Sequence, residues 1–215
     1  ACLSGEPGEP AETAGPIDIS RGSICSAAGP FRFMPSFFLC ALNPLFCNNR
    51  AMNEIERDKR REVLAPKLRK VVDGPHVLSL AEELKPYECD GLAAYRVVPL
   101  LVVLPGSTAE VQAVLRICHA EGIAVVARGA GTGLSGGALP NEDGILLSLA
   151  RLNRIISIEP DNCCARVQPG VRNLAISEAA KPHGLYYAPD PSSQIACSIG
   201  GNVAENAGGV HCLKY

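Results

Sequence analysis

The sequence of 215 residues lacks several features that would assign it to a broad functional class. Its formal net charge is −2, so it has no strongly basic composition of the kind that accompanies nucleic-acid binding. No apolar run is long enough to cross a bilayer as a helix. Among ten cysteines there is no Cys-x-x-Cys pair, which excludes the common zinc and ferredoxin spacings. What remains is a globular protein of one or two domains, 47% of it apolar.

The cysteines and histidines indicate no metal site. The cysteines after residue 52 lie mostly among apolar neighbours, as Cys118 does, which favours unpaired thiols in a reducing compartment over a disulfide framework. The histidines at 76, 119, 183 and 211 are too scattered in sequence to suggest a shared metal ion. We expect His119 and His183, on or beside predicted helices, to be structural.

Residues 1–51 differ in pattern from the rest of the chain. They show neither a helical nor an alternating period, and their acidic start and late apolar patch do not fit a signal peptide. We predict that they are disordered or are a non-native upstream extension, with Met52 as the natural start. Detection of peptides from residues 1–51 in the native protein would contradict that hypothesis.

From Met52 onward the sequence predicts alternating helices and strands. A helical period begins after Met52 and Pro66 should kink or divide it, so residues 52–95 are expected to form an N-terminal helical segment. Apolar runs at 100–104 and 123–128 flank a helix that opens at Ser107, giving a β-α-β unit with parallel strands. Further strands are predicted at 145–149, 155–158 and 165–168, and helices at 171–180 and 198–206.

The segment 128–137, Arg-Gly-Ala-Gly-Thr-Gly-Leu-Ser-Gly-Gly, is the most informative part of the sequence. It follows a predicted strand, and its glycines allow backbone N–H groups to approach an anion closely. A nucleoside-triphosphate P-loop is rejected because Gly137 stands where the lysine should be. A Gly-x-Gly-x-x-Gly dinucleotide fingerprint is present at 131–136, but the turn at 140–144 leaves no room for the helix that it must open. An anion cradle formed by the loop itself remains.

A second segment, 190–209, supplies ligand-like chemistry about sixty residues further on. It is rich in small residues, hydroxyls and amides, which can bond phosphate or the edge of a ring system. The two segments together suit a ligand with phosphate at one end and a polar ring at the other. A Gly/Ser loop with packing glycines is the alternative.

These two segments resemble the flavin domain of vanillyl-alcohol-oxidase-type (PCMH-type) flavoproteins, and in particular their D-2-hydroxyacid dehydrogenase members of the glycolate oxidase type. Residues 86–92 and 168–174 resemble the same group, and the resemblance covers roughly Met52 to Tyr215. It implies an α+β fold of two subdomains, the first β-α-β subdomain complete and the second truncated, with residues 96–215 forming the FAD-binding domain.

The resemblance also implies a set of cofactor-binding residues. It places the FAD pyrophosphate on the glycine loop and the flavin and ribityl chain along the second segment. The implied residues are Arg128, Gly129, Ala130, Gly131, Thr132, Gly133, Leu134, Ser135, Gly136, Gly137, Asp190, Pro191, Ser192, Ser193, Ser198, Gly201, Asn202 and Asn206. Some members attach flavin through a histidine in the glycine loop. Leu134 and Ser135 occupy that neighbourhood here, so non-covalent FAD is expected.

The implied reaction is oxidation of glycolate or D-lactate to the 2-oxo acid by hydride transfer to flavin. The catalytic residues stay unknown, since the family carries them in a later domain, and we expect this polypeptide alone to be inactive. A second flavin-type subunit and an iron–sulfur subunit are implied as partners. A cytoplasmic location is implied too, with peripheral attachment to the inner face of the membrane as the alternative. A D-lactate or D-2-hydroxyglutarate dehydrogenase, or a non-catalytic flavin- or nucleotide-binding module, remains open.

Overall fold

Two groups of secondary structure account for the residues that the structure, a computed structural model, describes: 4–5, 52–210 and 212. The first group is a four-stranded sheet with helices α1 (Glu54–Leu68), α2 (Ala81–Leu84) and α3 (Thr108–Ala120). Its strands are β2 (Val77–Leu78), β3 (Leu101–Val103), β4 (Val125–Arg128) and β5 (Ile145–Ser148). The prediction of disorder for residues 1–51 lies outside the described residues, except for a short strand β1 (Ser4–Gly5).

The order of strands in the sheet is β2-β3-β5-β4. β3 and β4 both run parallel to β5, whereas β2 pairs antiparallel with β3. The predicted β-α-β unit is therefore present and its strands are parallel, but β5 lies between them. The carboxyl ends of β4 and β5 consequently lie side by side, and the glycine loop leaves the sheet at that edge.

The side chains of the sheet alternate between two apolar layers. Leu101, Val103, Ile145 and Leu147 pack with α1 and α3 on one face. Val102 and Leu146 pack on the other face with Leu84, Tyr87 and Val126. Both faces are covered, which explains why these strands are continuous apolar runs in the sequence.

Local signals explain where the helices begin and end. Asn53 and Glu56 form a reciprocal capping box at the start of α1, and Ser107 Oγ accepts a hydrogen bond from the N–H of Glu110 at the start of α3. α1 ends at Leu68, two residues beyond Pro66, so Val72 lies after the helix rather than on its apolar face. Leu64 and Leu68 of α1 share a core with β3, so residues 52–95 have no separate core.

The second group contains a hairpin and two short helices. β6 (Ile155–Glu159) and β7 (Cys164–Val167) pair antiparallel, and α4 (Asn173–Ala180) packs on them. β8 (Leu185–Tyr186) pairs with β1, and α5 (Ile199–Ala204) follows. Ile199 joins the core formed by Val171 and Ile176. The α+β fold class predicted from the sequence is confirmed.

Candidate functional site

The glycine loop contains no helix between β4 and β5. Gly131 and Gly136 have φ values of +70° and +79°, a region of backbone conformation that L side chains rarely adopt. The loop ends in a turn, where the N–H of Leu139 donates to the carbonyl of Gly136. A Gly-x-Gly-x-x-Gly fingerprint therefore stands here without the helix that a dinucleotide site of the Rossmann type requires.

The backbone N–H groups of the glycine loop have no hydrogen-bond acceptor in the part of the chain that the structure describes. Among the described residues, no group accepts a hydrogen bond from an N–H of residues 129–138. Backbone donors left unpaired in this way normally bind water or a ligand. Several such donors in succession, at the end of a strand, form an anion-binding concavity.

The second predicted segment lies directly opposite the loop. It begins with turns after Pro191 and continues into α5. A bridge from Asp190 to Gly209 joins its two ends, and a bridge from Arg172 to Ser198 holds its middle. The approach is closest at Gly129, where a Cβ atom would overlap the hydroxyl of Ser198. A side chain at 129 would therefore require the Ser198 hydroxyl to move from its present position.

A cleft lies between the two segments, and it brings together eleven of the eighteen predicted residues. They are Gly129, Ala130, Gly131, Thr132, Gly133, Gly137, Pro191, Ser193, Ser198, Gly201 and Asn202. The seven that do not line it are Arg128, Leu134, Ser135, Gly136, Asp190, Ser192 and Asn206. Residues of the lining that the sequence did not single out are Ala127, Ala138, Cys197, Ala204, Glu205 and Ala207. Most of these are small apolar residues and carry no recognisable signal in the sequence.

Ser198 contributes a buried polar atom to this cleft. The residue is 4% exposed and its Oγ has no hydrogen-bond partner among the described residues. It stands at the N-cap position of α5, but the side chain makes no capping bond. An unsatisfied buried hydroxyl costs free energy, which a bound ligand can recover. The unpaired N–H groups of the loop and this hydroxyl therefore fit the phosphate end of a dinucleotide cofactor.

Glu205 is the one charged residue among the described residues that line the cleft. Its carboxylate accepts a hydrogen bond from the hydroxyl of Ser135 across the mouth of the cleft, and a Cβ atom at Gly137 would lie 2.6 Å from its Oε1. Among the described lining residues there is no arginine or lysine, so the groups that can hold an anion there are backbone dipoles and hydroxyls.

Both polar atoms of the Asn202 side-chain amide form hydrogen bonds within the protein. Its Oδ1 accepts from the hydroxyl of Tyr187 at 2.8 Å, and its Nδ2 donates to the carbonyl of Ala207 at 2.5 Å. Asn202 therefore fixes the turn after α5 while it lines the cleft. Tyr187, fifteen residues earlier, is a supporting residue that the sequence did not single out for this role.

Burial raises the pKa of the Cys197 thiol, which lines the cleft. The pKa of Cys118, on the buried face of α3, is raised to about 11 for the same reason. Both groups are protonated near neutral pH and are poor nucleophiles. The six cysteines between residues 52 and 212 are free, and no group of three His, Cys, Asp or Glu within the described residues could hold a metal ion.

A second hollow adjoins the cleft past Gly129 and Ser198, which line both. Its far side is formed by Asn153 and Arg172. The two spaces therefore adjoin each other at residues that line both. No helix in the described part of the chain is long and apolar enough to span a membrane.

The mixed sheet, the loop whose N–H groups have no partner among the described residues, and the adjoining cleft are features of a binding domain for a nucleotide-type cofactor. Comparison with known proteins narrows this class: the chain belongs to the family described as FAD binding domain, whose model matches residues 99–215. This confirms FAD, the cofactor predicted from the sequence.

Two relatives and one solved structure illustrate the relationship. The chain is 68% identical over 148 residues to glycolate oxidase subunit GlcD of Escherichia coli (strain K12), covering 69% of this chain and 30% of that protein. It is 41% identical over 133 residues to D-2-hydroxyglutarate dehydrogenase of Xanthomonas citri pv. viticola, covering 62% of this chain and 28% of that protein. The chain thus spans less than a third of either relative.

The structure of p-cresol methylhydroxylase with bound substrate is similar in fold. The TM-score is 0.54 at 23% identity, over 65% of this chain and 28% of that one. At this identity the likeness concerns the fold alone, and it confirms the PCMH-type architecture predicted from the sequence.

Proposed function

We propose that this chain is the FAD-binding portion of a flavin-dependent 2-hydroxyacid dehydrogenase of the glycolate oxidase type. The observation that carries the proposal is the cleft that residues 129–133, 137 and 138, whose N–H groups have no partner among the described residues, line together with Ser193, Ser198 and Gly201. The identity to proteins named glycolate oxidase subunit and D-2-hydroxyglutarate dehydrogenase supports the substrate class.

In this proposal the glycine loop binds the pyrophosphate of FAD through its backbone. The pyrophosphate oxygens accept hydrogen bonds from these N–H groups, which have no partner among the described residues, and the hydroxyl of Ser198 gains a partner. Ser135 can add its hydroxyl only if it leaves Glu205, to which it donates now. Asp190, Ser192 and Asn206, outside the lining, act through the shape of the second segment.

The residues along α5 orient the remainder of the cofactor. Gly201 presents backbone without a side chain, and Asn202, held by Tyr187, keeps the segment in place. When bound, FAD supplies the acceptor for a hydride from C2 of a 2-hydroxy acid. The described residues include no clustered acid, base or metal ligands near the cleft, so we expect no turnover by the 215-residue chain alone.

We further propose that the cofactor is not covalently attached. The ten residues of the loop, 128–137, contain no histidine. The cysteine that lines the cleft, Cys197, is held protonated by burial, which raises its pKa. Acid precipitation should release all flavin into the supernatant. Flavin fluorescence that stays with the precipitated protein would contradict this.

Partners and location are proposed from the likeness to the glycolate oxidase type. A dehydrogenase must pass the electrons of its reduced flavin to an acceptor, and we propose a second flavin-type subunit and an iron–sulfur subunit as partners in that transfer. We place the complex in the cytoplasm, free or attached to the inner face of the membrane. Affinity purification from the native cell should recover an iron–sulfur protein with this chain.

Disruption of the coding region in the native cell tests the function. Extracts are assayed for reduction of an artificial dye with glycolate, D-lactate or D-2-hydroxyglutarate. We expect loss of the glycolate-dependent rate. Loss of the D-lactate or D-2-hydroxyglutarate rate alone would favour the alternative dehydrogenases, and unchanged rates with all three acids would favour a non-catalytic flavin-binding module.

A further inference from the structure

We propose that Arg128 is a positioning residue that supports the glycine loop from beneath, together with Tyr87 and the backbone of residues 89–91, and that it does not itself contact the cofactor. The inference rests on the proposed role of the loop in binding pyrophosphate. An arginine at the start of a phosphate-binding loop would ordinarily be taken for a phosphate ligand. Three observations indicate instead that Arg128 supports the loop.

The first observation is the alternation of side chains along β4. Ala127 lines the cleft, and Val126 packs on the opposite face of the sheet with Tyr87. Because successive side chains of a strand point to opposite faces, Arg128 leaves the strand on the same side as Val126. The guanidinium therefore lies towards Tyr87 and away from the cleft, whose lining does not include it.

The second observation is that the guanidinium already has partners. Its Nη1 donates to the carbonyl of Cys89 at 2.6 Å, and its Cζ lies 5.7 Å from the centre of the Tyr87 ring. That distance is within the range of a cation–π interaction. The guanidinium also fills the space under Gly131, where a Cβ atom would overlap it. One side chain thus joins residues 87–89 to the turn of the loop with positive φ.

The third observation is the contact between Gly91 and the loop. A Cβ atom at 91 would lie 2.6 Å from the carbonyl oxygen of Thr132 and 2.7 Å from that of Gly133. These two carbonyls therefore face residue 91. In a trans peptide the carbonyl and the following N–H point in opposite directions, so the N–H groups of Gly133 and Leu134 point away from it.

The segment that carries these contacts is itself held in place. Asp90 Oδ1 accepts from the N–H of Leu92 at 2.9 Å, and the N–H of Val97 donates to the carbonyl of Glu88 at 2.7 Å. Tyr87 is anchored in the apolar layer with Leu84 and Val102. Arg128 therefore connects the glycine loop to a fixed part of the fold, which reduces the entropy that the loop loses when it binds a ligand.

The test compares Arg128→Gln, Tyr87→Leu and the double variant in the full chain. Arg116→Gln and Tyr95→Leu, at exposed positions, are the matched controls. The dissociation constant of FAD is measured from flavin fluorescence at low and high salt. The order parameters of the loop amides are measured by ¹⁵N relaxation in the FAD-free protein.

We expect each single variant to weaken FAD binding about tenfold, and the double variant to be little worse, because both remove the same support. Loop order parameters should fall in both variants, while the salt dependence of FAD binding stays that of the wild type. Tyr87→Phe keeps the ring and should restore the affinity and the order that Tyr87→Leu loses, which separates this role from general destabilisation.

Two results would overturn the proposal. If Arg128→Gln flattens the salt dependence while Tyr87→Leu leaves the affinity unchanged, the arginine binds phosphate directly. If neither single variant changes the loop order parameters, the support does not exist. Failure of the wild-type protein to bind FAD would instead count against the proposed function, and the order parameters would still decide the role of Arg128.

Discussion

Replacement of Gly91 by alanine perturbs the glycine loop without changing any residue that lines the cleft. The added Cβ would lie 2.6 Å from the carbonyl oxygen of Thr132. Ordinary contact begins at 3.4 Å, so the separation must grow by roughly 0.8 Å, the difference between these distances. The opposing atoms belong to the backbone of Thr132 and Gly133, so no side-chain rotation can relieve the overlap.

The size of the effect follows from this overlap. Overpacking of this kind costs about 1–3 kcal/mol. The loop is half-exposed and bonded to few neighbours, so the displacement should fall on the loop rather than on the core. If the cost appears entirely as lost cofactor affinity, the dissociation constant of FAD rises about 5- to 150-fold.

Fluorescence titration with FAD measures this change, and thermal unfolding of the FAD-free protein is recorded alongside it. Gly74→Ala is the matched control, because no atom lies within 4 Å of the added Cβ and the φ angle there is ordinary. An unchanged FAD affinity in Gly91→Ala, together with an unchanged melting temperature, would refute the packing argument.

Three further predictions concern charge, protonation and hydrogen bonding. Glu205→Gln removes a negative charge from the cleft and should tighten FAD binding about fivefold at low salt, but hardly at high salt, where ions screen that charge. An affinity no higher than that of the exposed control Glu178→Gln would contradict this. Burial raises the pKa of Cys118 from 9.0 to about 11, so the folded state keeps a proton that the unfolded chain releases and loses stability as the pH rises through that range. In urea unfolding, the fall in the free energy of unfolding between pH 9 and pH 11 should be smaller in Cys118→Ala than in the wild type by on the order of 2 kcal/mol. The same pH dependence in the variant and the wild type would disprove this. Tyr187→Phe leaves Asn202 Oδ1 without its donor and should lower the free energy of unfolding by about 1–2 kcal/mol in the same assay, whereas an unchanged value would show that water replaces the hydroxyl.

The elements of the fold that the sequence predicts well are those with local causes. The runs at 101–103 and 145–148 are apolar throughout because both faces of their strands are covered. The start of α3 is predicted because Ser107 and Glu110 interact three residues apart. The position of β5 between β3 and β4 is not predicted, because a β-α-β unit specifies that its two strands are parallel but not whether another strand lies between them.

The candidate site divides in the same way. The sequence predicts that the glycine loop and the second segment bind the same ligand, because both contain ligand-binding groups, and the two segments do line one cleft. The positions of particular side chains depend on contacts with residues that are distant in sequence. Arg128 meets a carbonyl 39 residues earlier, and Ser135 meets a carboxylate 70 residues later. No local pattern encodes either contact, so assignment by position in a motif places both residues among the cofactor ligands.

The most direct test of the central claim is a titration of the ¹⁵N-labelled protein with FAD, followed by the backbone amide signals. The account predicts that the largest shifts belong to residues 129–138, whose N–H groups have no partner in the described structure, followed by those around Ser198 and Gly201. FAD binding that shifts amides elsewhere and leaves residues 129–138 unchanged would contradict it.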